Sequence, residues 1–310
     1  MNRSFRRFAP LALLLATGCM EDAFAAASTD NQGAYLVGGK GPFPGRVDGI
    51  GFDLDNYGPG IVSNGELEAM FSSSQYVSVF EDFLGDFTIP AEGSADGAQG
   101  PWVSTNTGTS QTIAPEGDYD NGALEILISN SNEVGDATLF WDDEQNIDTD
   151  TEPFCVYRWT VQATPAAADS IFLGLATAQN DIMQSVSQFA GFSVAGADLN
   201  LDTQSDDNTT DVAADDTDVD LTALTFIETL VSMNSMHGRT ATDPDGASPT
   251  DVHFFYRTST GGAWTQVNPN VTFSIGADAA VQPYVQVEKT SGTSTPGIFV
   301  DYVRCAWQRE

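Results

Sequence analysis

Side chains able to do acid–base or metal chemistry are unevenly spread along this sequence. Asp243-Pro244-Asp245-Gly246, followed by Asp251, has the Asp-x-Asp-Gly opening of a calcium loop. It lacks EF-hand spacing and a closing Glu, so a solvated turn competes with a calcium site built on Asp243, Asp245 and Asp251. The stretch from Asp198 to Asp220 holds Asp206, Asp207, Asp211, Asp215, Asp216, Asp218 and Asp220 with almost no basic partner. Hard cations take many oxygen ligands, but a solvated surface loop has the same composition and is preferred here. Only His237 and His253 could act as neutral-pH bases, and His253 falls within an alternating strand pattern. No Gly-x-Ser-x-Gly elbow, phosphate loop, His-Glu-x-x-His or Cys-His zinc spacing occurs. The nearest alternating carboxylates, Glu66-Leu67-Glu68, sit in a segment that reads as helix rather than as a cleft strand. The expectation is therefore that the chain is not an enzyme. Trp102, Trp141, Tyr256 and Trp264 offer rings for stacking on a glycan if they lie on an exposed face; large aromatics of a sandwich more often lie in its core.

These residues must be positioned by a chain of 310 residues, long enough for a sizeable core. It carries 44 acidic against 11 basic residues, a formal net charge of −33, and its lysines are Lys40 and Lys289. Outside Arg3, Arg6 and Arg7 there is no basic cluster, and this charge repels phosphate backbones, which excludes nucleic acid as a partner. The same surface suits high salt, where screening relieves self-repulsion.

Residues 1–27 read as a leader: three arginines, an apolar run from Leu11 to Thr17 too short to span a bilayer, and Ala23-Phe24-Ala25 as a small-x-small cleavage site. Two other readings stay open. Ala16-Thr17-Gly18-Cys19 is similar to a lipobox with Ala in place of the usual Leu, and Met20 could be the true start. Residues 28–78 are Gly-rich and read as an extended arm, with a short helix from Asn64 to Phe71, or as a flexible linker. From there on, short β-branched and aromatic runs alternate with turn formers. Phe154 to Gln162 is the strongest, and the last two runs, Val281 to Lys289 and Ile298 to Trp307, close the chain. In the final run Phe299, Val303, Cys305 and Trp307 are expected on one apolar face. The segments Asp181 to Gln188 and Thr222 to Met236 are compatible with helix. About a dozen such strands predict an all-β, antiparallel β-sandwich of jelly-roll type over 79–310.

Several of these runs carry a resemblance. Val79-Phe80-Glu81-Asp82-Phe83-Leu84-Gly85-Asp86, Pro101-Trp102-Val103, Tyr157-Arg158-Trp159, Gly174-Leu175-Ala176 and Phe299 to Arg304 resemble laminin-G/concanavalin-A-like jelly rolls, as found in structural proteins of tailed, especially marine, phages. The resemblance implies neighbouring positions for the strand of Cys155 and the closing strand of Cys305. A disulfide between them, or two packed thiols, would follow. It also implies a non-catalytic structural or capsid-decoration protein on a virion surface, whose arm contacts neighbouring subunits or copies of itself. The alternative is an exported or lipid-anchored bacterial surface protein with a lectin-like, glycan-binding sandwich, with calcium as its candidate cofactor.

Overall fold

The computed structural model describes residues 76–83, 88–92, 101–109, 111–116, 122–131, 134–141, 147–214, 219–233, 251–258 and 262–309. The expected leader, the arm as far as residue 75 with its helix, and Asp243 and Asp245 lie outside the described residues.

Seventeen strands among the described residues form two antiparallel sheets. The nine-stranded sheet runs β14 (Thr265–Val267), β13 (Asp251–Arg257), β12 (Ile227–Ser232), β7 (Phe154–Val161), β17 (Gly297–Gln308), β4 (Leu124–Ile128), β3 (Gln111–Pro115). Beside this path, β1 (Tyr76–Glu81) pairs with the far half of β17, and β15 (Phe273–Ser274) pairs with β13. The eight-stranded sheet runs β11 (Asp211–Ala214), β10 (Asp202–Asp207), β9 (Gln188–Ala195), β8 (Asp169–Ala176), β16 (Ala280–Lys289), β5 (Gly135–Phe140), β2 (Val103–Thr107), with β6 (Ile147–Asp148) against the start of β16. The architecture is an antiparallel β-sandwich of the concanavalin-A-like, jelly-roll type. Its two tail strands each lie inside a sheet, β17 between β7 and β4 and β16 between β8 and β5.

The two segments compatible with helix fold otherwise. Thr222 to Met236 contributes β12, because Ile227, Thr229, Val231 and their neighbours find backbone partners on both sides, in β7 and β13. Asp181 to Gln188 contains one 3-10 turn, Met183–Ser185. The acidic stretch likewise contains the hairpin β10–β11, where Asp206 faces Asp211.

The face expected for the last strand is corrected at one position. The register of β17 against β7 shifts between Val300 and Tyr302, so Asp301 is an inserted residue that reverses the alternation. Ile298 and Val300 therefore point to the core with Val303 and Cys305, while Phe299 lies on the opposite face. The insertion also sets the Asp301 carboxylate against the Arg158 guanidinium in an ion pair.

Between the sheets the core is aromatic-rich. Phe192 of β9 meets Phe254 of β13 edge-on at 5.2 Å, and Phe254 meets Phe273 at 4.9 Å. Tyr157 spans the sandwich, donating its hydroxyl hydrogen bond to the Gly174 carbonyl, and burial holds its pKa well above the usual phenol range. Cys155 and Cys305 face each other across β7 and β17 and are joined, with S–S at 2.08 Å, closing a 150-residue separation. Lys289 is wholly buried, and its ammonium donates to the carbonyls of Ser129 (2.6 Å), Ser131 (2.8 Å) and Ser294 (3.3 Å). It ties the turn after β4 to the turn between β16 and β17.

Candidate functional site

Strand alternation builds a second, polar surface on the outer face of the eight-stranded sheet. Along β5, Ala137 and Leu139 enter the core, so Asp136, Thr138 and Phe140 face outward. Along β16, Val285 and Val287 enter the core, so Tyr284, Gln286 and Glu288 face outward. The register places Asp136 opposite Glu288 and Thr138 opposite Gln286, and on the other flank Ser170 of β8 opposite Glu288.

The β8–β9 connection, residues 177–187, lies over this face as a strap. Its apolar residues Met183 and Val186 are buried among Val103, Phe140, Phe172, Phe189 and Tyr284, a small cluster separate from the main core. The Asn180 carbonyl accepts from the Tyr284 hydroxyl at 3.1 Å and from Gln286 Nε2 at 2.8 Å. Asp181 accepts from the Thr107 hydroxyl at 2.8 Å, so the strap reaches from β8 across β16 to β2. Beneath it Gly191 of β9 has no room for a side chain: a Cβ there would lie 2.5 Å from the Phe172 ring.

Three carboxyl groups meet at one end of this face. Asp136 is 1 % exposed and accepts from the Thr138 hydroxyl at 2.9 Å and from Gln286 Nε2. Burial pushes its pKa up to about 7; those two hydrogen bonds pull it down, and the charges of Asp181 and Glu288 push it further up. Burial also raises Glu288, against hydrogen bonds from Ser170 and the Met183 backbone that favour its charged form. Gln286 is 1 % exposed; both its Nε2 protons are committed, to Asp136 and to Asn180, and its Oε1 is buried with no hydrogen-bond partner. The site thus offers acceptors whose own donors are already used. It also sets a carboxyl whose pKa burial lifts to about 7 beside a second carboxyl on the next strand that burial raises as well.

The residues singled out from sequence lie elsewhere. Trp102 and Trp141 are in the main core at 1 % and 0 % exposure, edge to face with centroids 5.7 Å apart, and Trp264 is buried under the Arg257 guanidinium, 4.4 Å from its ring centroid. None of these three presents a free ring to a sugar, because each fills a packing position; Tyr256 is half-buried against the core. Asp251 opens β13, opposite Ser274, while Asp243 and Asp245 are outside the described residues. Among the described residues no group of three or more His, Cys, Asp or Glu is placed to hold a metal ion. His253 lies in β13 with Nδ1 3.5 Å from Gln266 Nε2. Sequence reasoning missed Asp136, Asp181, Gln286 and Glu288. The signal was present in β16, where Gln282, Tyr284, Gln286 and Glu288 recur at every second position, a polar stripe within an otherwise apolar strand.

No family model matches this chain, and no curated protein matches it. Solved structures do. A protein of unknown function from Shewanella oneidensis MR-1 aligns with TM-score 0.51 at 12% identity, over 81% of this chain and 96% of that one. The catalytic domain of an endo-1,3-beta-glucanase (laminarinase) from Thermotoga petrophila RKU-1 aligns with TM-score 0.46 at 9% identity, over 76% and 99%. The Emp47p carbohydrate recognition domain aligns with TM-score 0.42 at 8% identity, over 72% and 95%. These similarities are of fold. They correct the expectation that the chain is not an enzyme: several of the similar structures, the laminarinase domain among them, are glycoside hydrolases.

Proposed function

We propose that the chain is a carbohydrate-binding sandwich that takes a glycan on the outer face of its eight-stranded sheet, around Asp136, Gln286 and Glu288. The observation that carries this reading is the buried, unpartnered Oε1 of Gln286 set between two carboxyl groups. A buried acceptor without a donor is costly, and a polyol ligand supplies hydroxyl donors in the number such a site needs. The formal charge of −33 favours neutral over anionic glycans. Isothermal titration with β-1,3-gluco-oligosaccharides, the class named for the laminarinase, tests it first, followed by a panel of neutral glycans. Binding that Gln286→Ala weakens at least tenfold supports the reading; no binding across the panel, or binding indifferent to Gln286, sinks it.

A second reading adds hydrolysis at the same place. The observation favouring it is that Asp136 is held protonated up to about pH 7 while facing Glu288 on the neighbouring strand. In that chemistry Asp136 protonates the leaving oxygen and Glu288 is the second carboxyl group. Release of reducing ends, lost in both Asp136→Asn and Glu288→Gln, is the expected result.

As to setting, the Cys155–Cys305 bond supports folding in an oxidising compartment, which suits an exported bacterial surface protein better than assembly in a cytoplasm. The virion-surface role implied by the sequence resemblance uses the same sandwich and requires residues 28–78 to contact neighbouring subunits. No helix among the described residues is long and apolar enough to cross a membrane.

A further inference from the structure

We infer that the strap over residues 177–187 is a pH-responsive cover: closed while Asp136 holds its proton, released when Asp136 is charged beside the carboxyl groups of Asp181 and Glu288. The three groups arrive from three elements: Asp136 from β5, Glu288 from β16 in direct register with it, and Asp181 from the strap itself. The groups facing Asp136 are the Thr138 hydroxyl, the Gln286 amide, the Tyr284 hydroxyl, and the carboxyl groups of Glu288 and Asp181. Ser170 adds its hydroxyl on the Glu288 side. The charges acting on Asp136 are therefore both negative. The cation next in sequence, Lys289, points away to three backbone carbonyls.

The closure is coupled to this cluster through one side chain. Gln286 Nε2 bonds Asp136 and, with its other proton, the Asn180 carbonyl that anchors the strap. An ionised Asp136 draws water towards itself, and water at that point competes for the amide holding Asn180. Asp181 is repelled from the same place, and its hold on the sheet is one hydrogen bond, from Thr107; its other, from Gln179, lies within the strap. What remains to keep the strap down is Met183 and Val186 in the small cluster, with the Tyr284 hydroxyl on the Asn180 carbonyl, the Gln184 amide on Gln204 and the Met183 N–H on Glu288. As pH rises through neutrality the strap lifts and uncovers Gln286 and its neighbours. As regulation of glycan binding this rests on the binding function proposed above and is incompatible with the hydrolytic reading, which needs a protonated Asp136 on an open face; as motion of the strap it rests on neither.

Hydrogen exchange read by mass spectrometry on the full chain at pH 5.5 and 8.5, corrected for intrinsic exchange rates, tests it. In the native protein, peptides from 177–187 should exchange roughly tenfold faster at pH 8.5 than at 5.5, while β7 peptides stay protected. Asp136→Asn should keep the strap protected at both pH values; Asp181→Asn, at an exposed position, is the second variant should the first not fold. A strap whose protection ignores pH, or that opens with pH equally in Asp181→Asn, overturns the inference. Titration with β-1,3-gluco-oligosaccharide in parallel separates the two readings. A strap that opens as expected while no glycan binds at either pH upholds the cover and removes the glycan.

Discussion

Asp136 is a carboxyl group buried to 1 % exposure, and its two hydrogen bonds do not restore the solvation it loses. With its pKa near 7 in the fold against 3.8 for the free side chain, the native state holds a proton that the unfolded chain has released throughout that interval. Stability therefore falls as pH rises from about 4 to about 7 and is level beyond, by at most roughly 4 kcal/mol for this group. Asp136→Asn keeps an acceptor for Thr138 and Gln286 but cannot ionise. Urea unfolding of both proteins across pH 4 to 8 should show the variant gaining on the native protein as pH rises, with little difference at pH 4. A constant difference across the range would mean that Asp136 titrates as an ordinary surface acid. Carboxyl groups perturbed in this way cluster at functional sites.

At the scale of elements, the disulfide links β7 and β17, the two strands at the middle of the nine-stranded sheet. Cross-linking residues 150 apart removes entropy from the unfolded chain worth about 5 kcal/mol in the chain-entropy model. The double variant Cys155→Ser, Cys305→Ser should unfold at clearly lower urea concentration. Because both sulfurs are buried, the native protein should resist dithiothreitol until it is partly unfolded. Equal midpoints for variant and native protein would show that β7 and β17 are held by their pairing alone. Both strands were legible in the sequence, since β-branched and aromatic residues at alternating positions fix a strand wherever it pairs. The inward face of β17 was not: one inserted residue, Asp301, reverses the parity, and nothing local distinguishes an inserted Asp from an outward-facing one. The strap was illegible for a similar reason. Met183 and Val186 read as one turn of amphipathic helix, and only the outer face of a distant sheet gives their side chains somewhere to go. Asp136 and Glu288 stand 152 positions apart, and their meeting depends on the register of β5 against β16, which sequence spacing does not encode.

At the scale of the whole molecule, three of the cations among the described residues serve internal contacts. Arg158 is bound to Asp301, Arg257 to Glu228, and Lys289 to carbonyls, which leaves the acidic excess with few cations to oppose it. Exposed acids of one sign repel each other over distances comparable to the Debye length, about 10 Å at 0.1 M salt and about 3 Å at 1 M. Compaction brings them closer than the unfolded chain does, so self-repulsion weakens the fold and screening restores it. The thermal midpoint should rise by several degrees between 0.05 M and 1 M sodium chloride at pH 7.5. At pH 4.5, where part of the excess is protonated, the rise should be smaller. A midpoint insensitive to salt at pH 7.5 would mean that the acids are spread widely enough over the two sheets to ignore one another. In that case the charge of −33 acts on partners alone, excluding phosphate and anionic sugars from a face whose unused groups are acceptors.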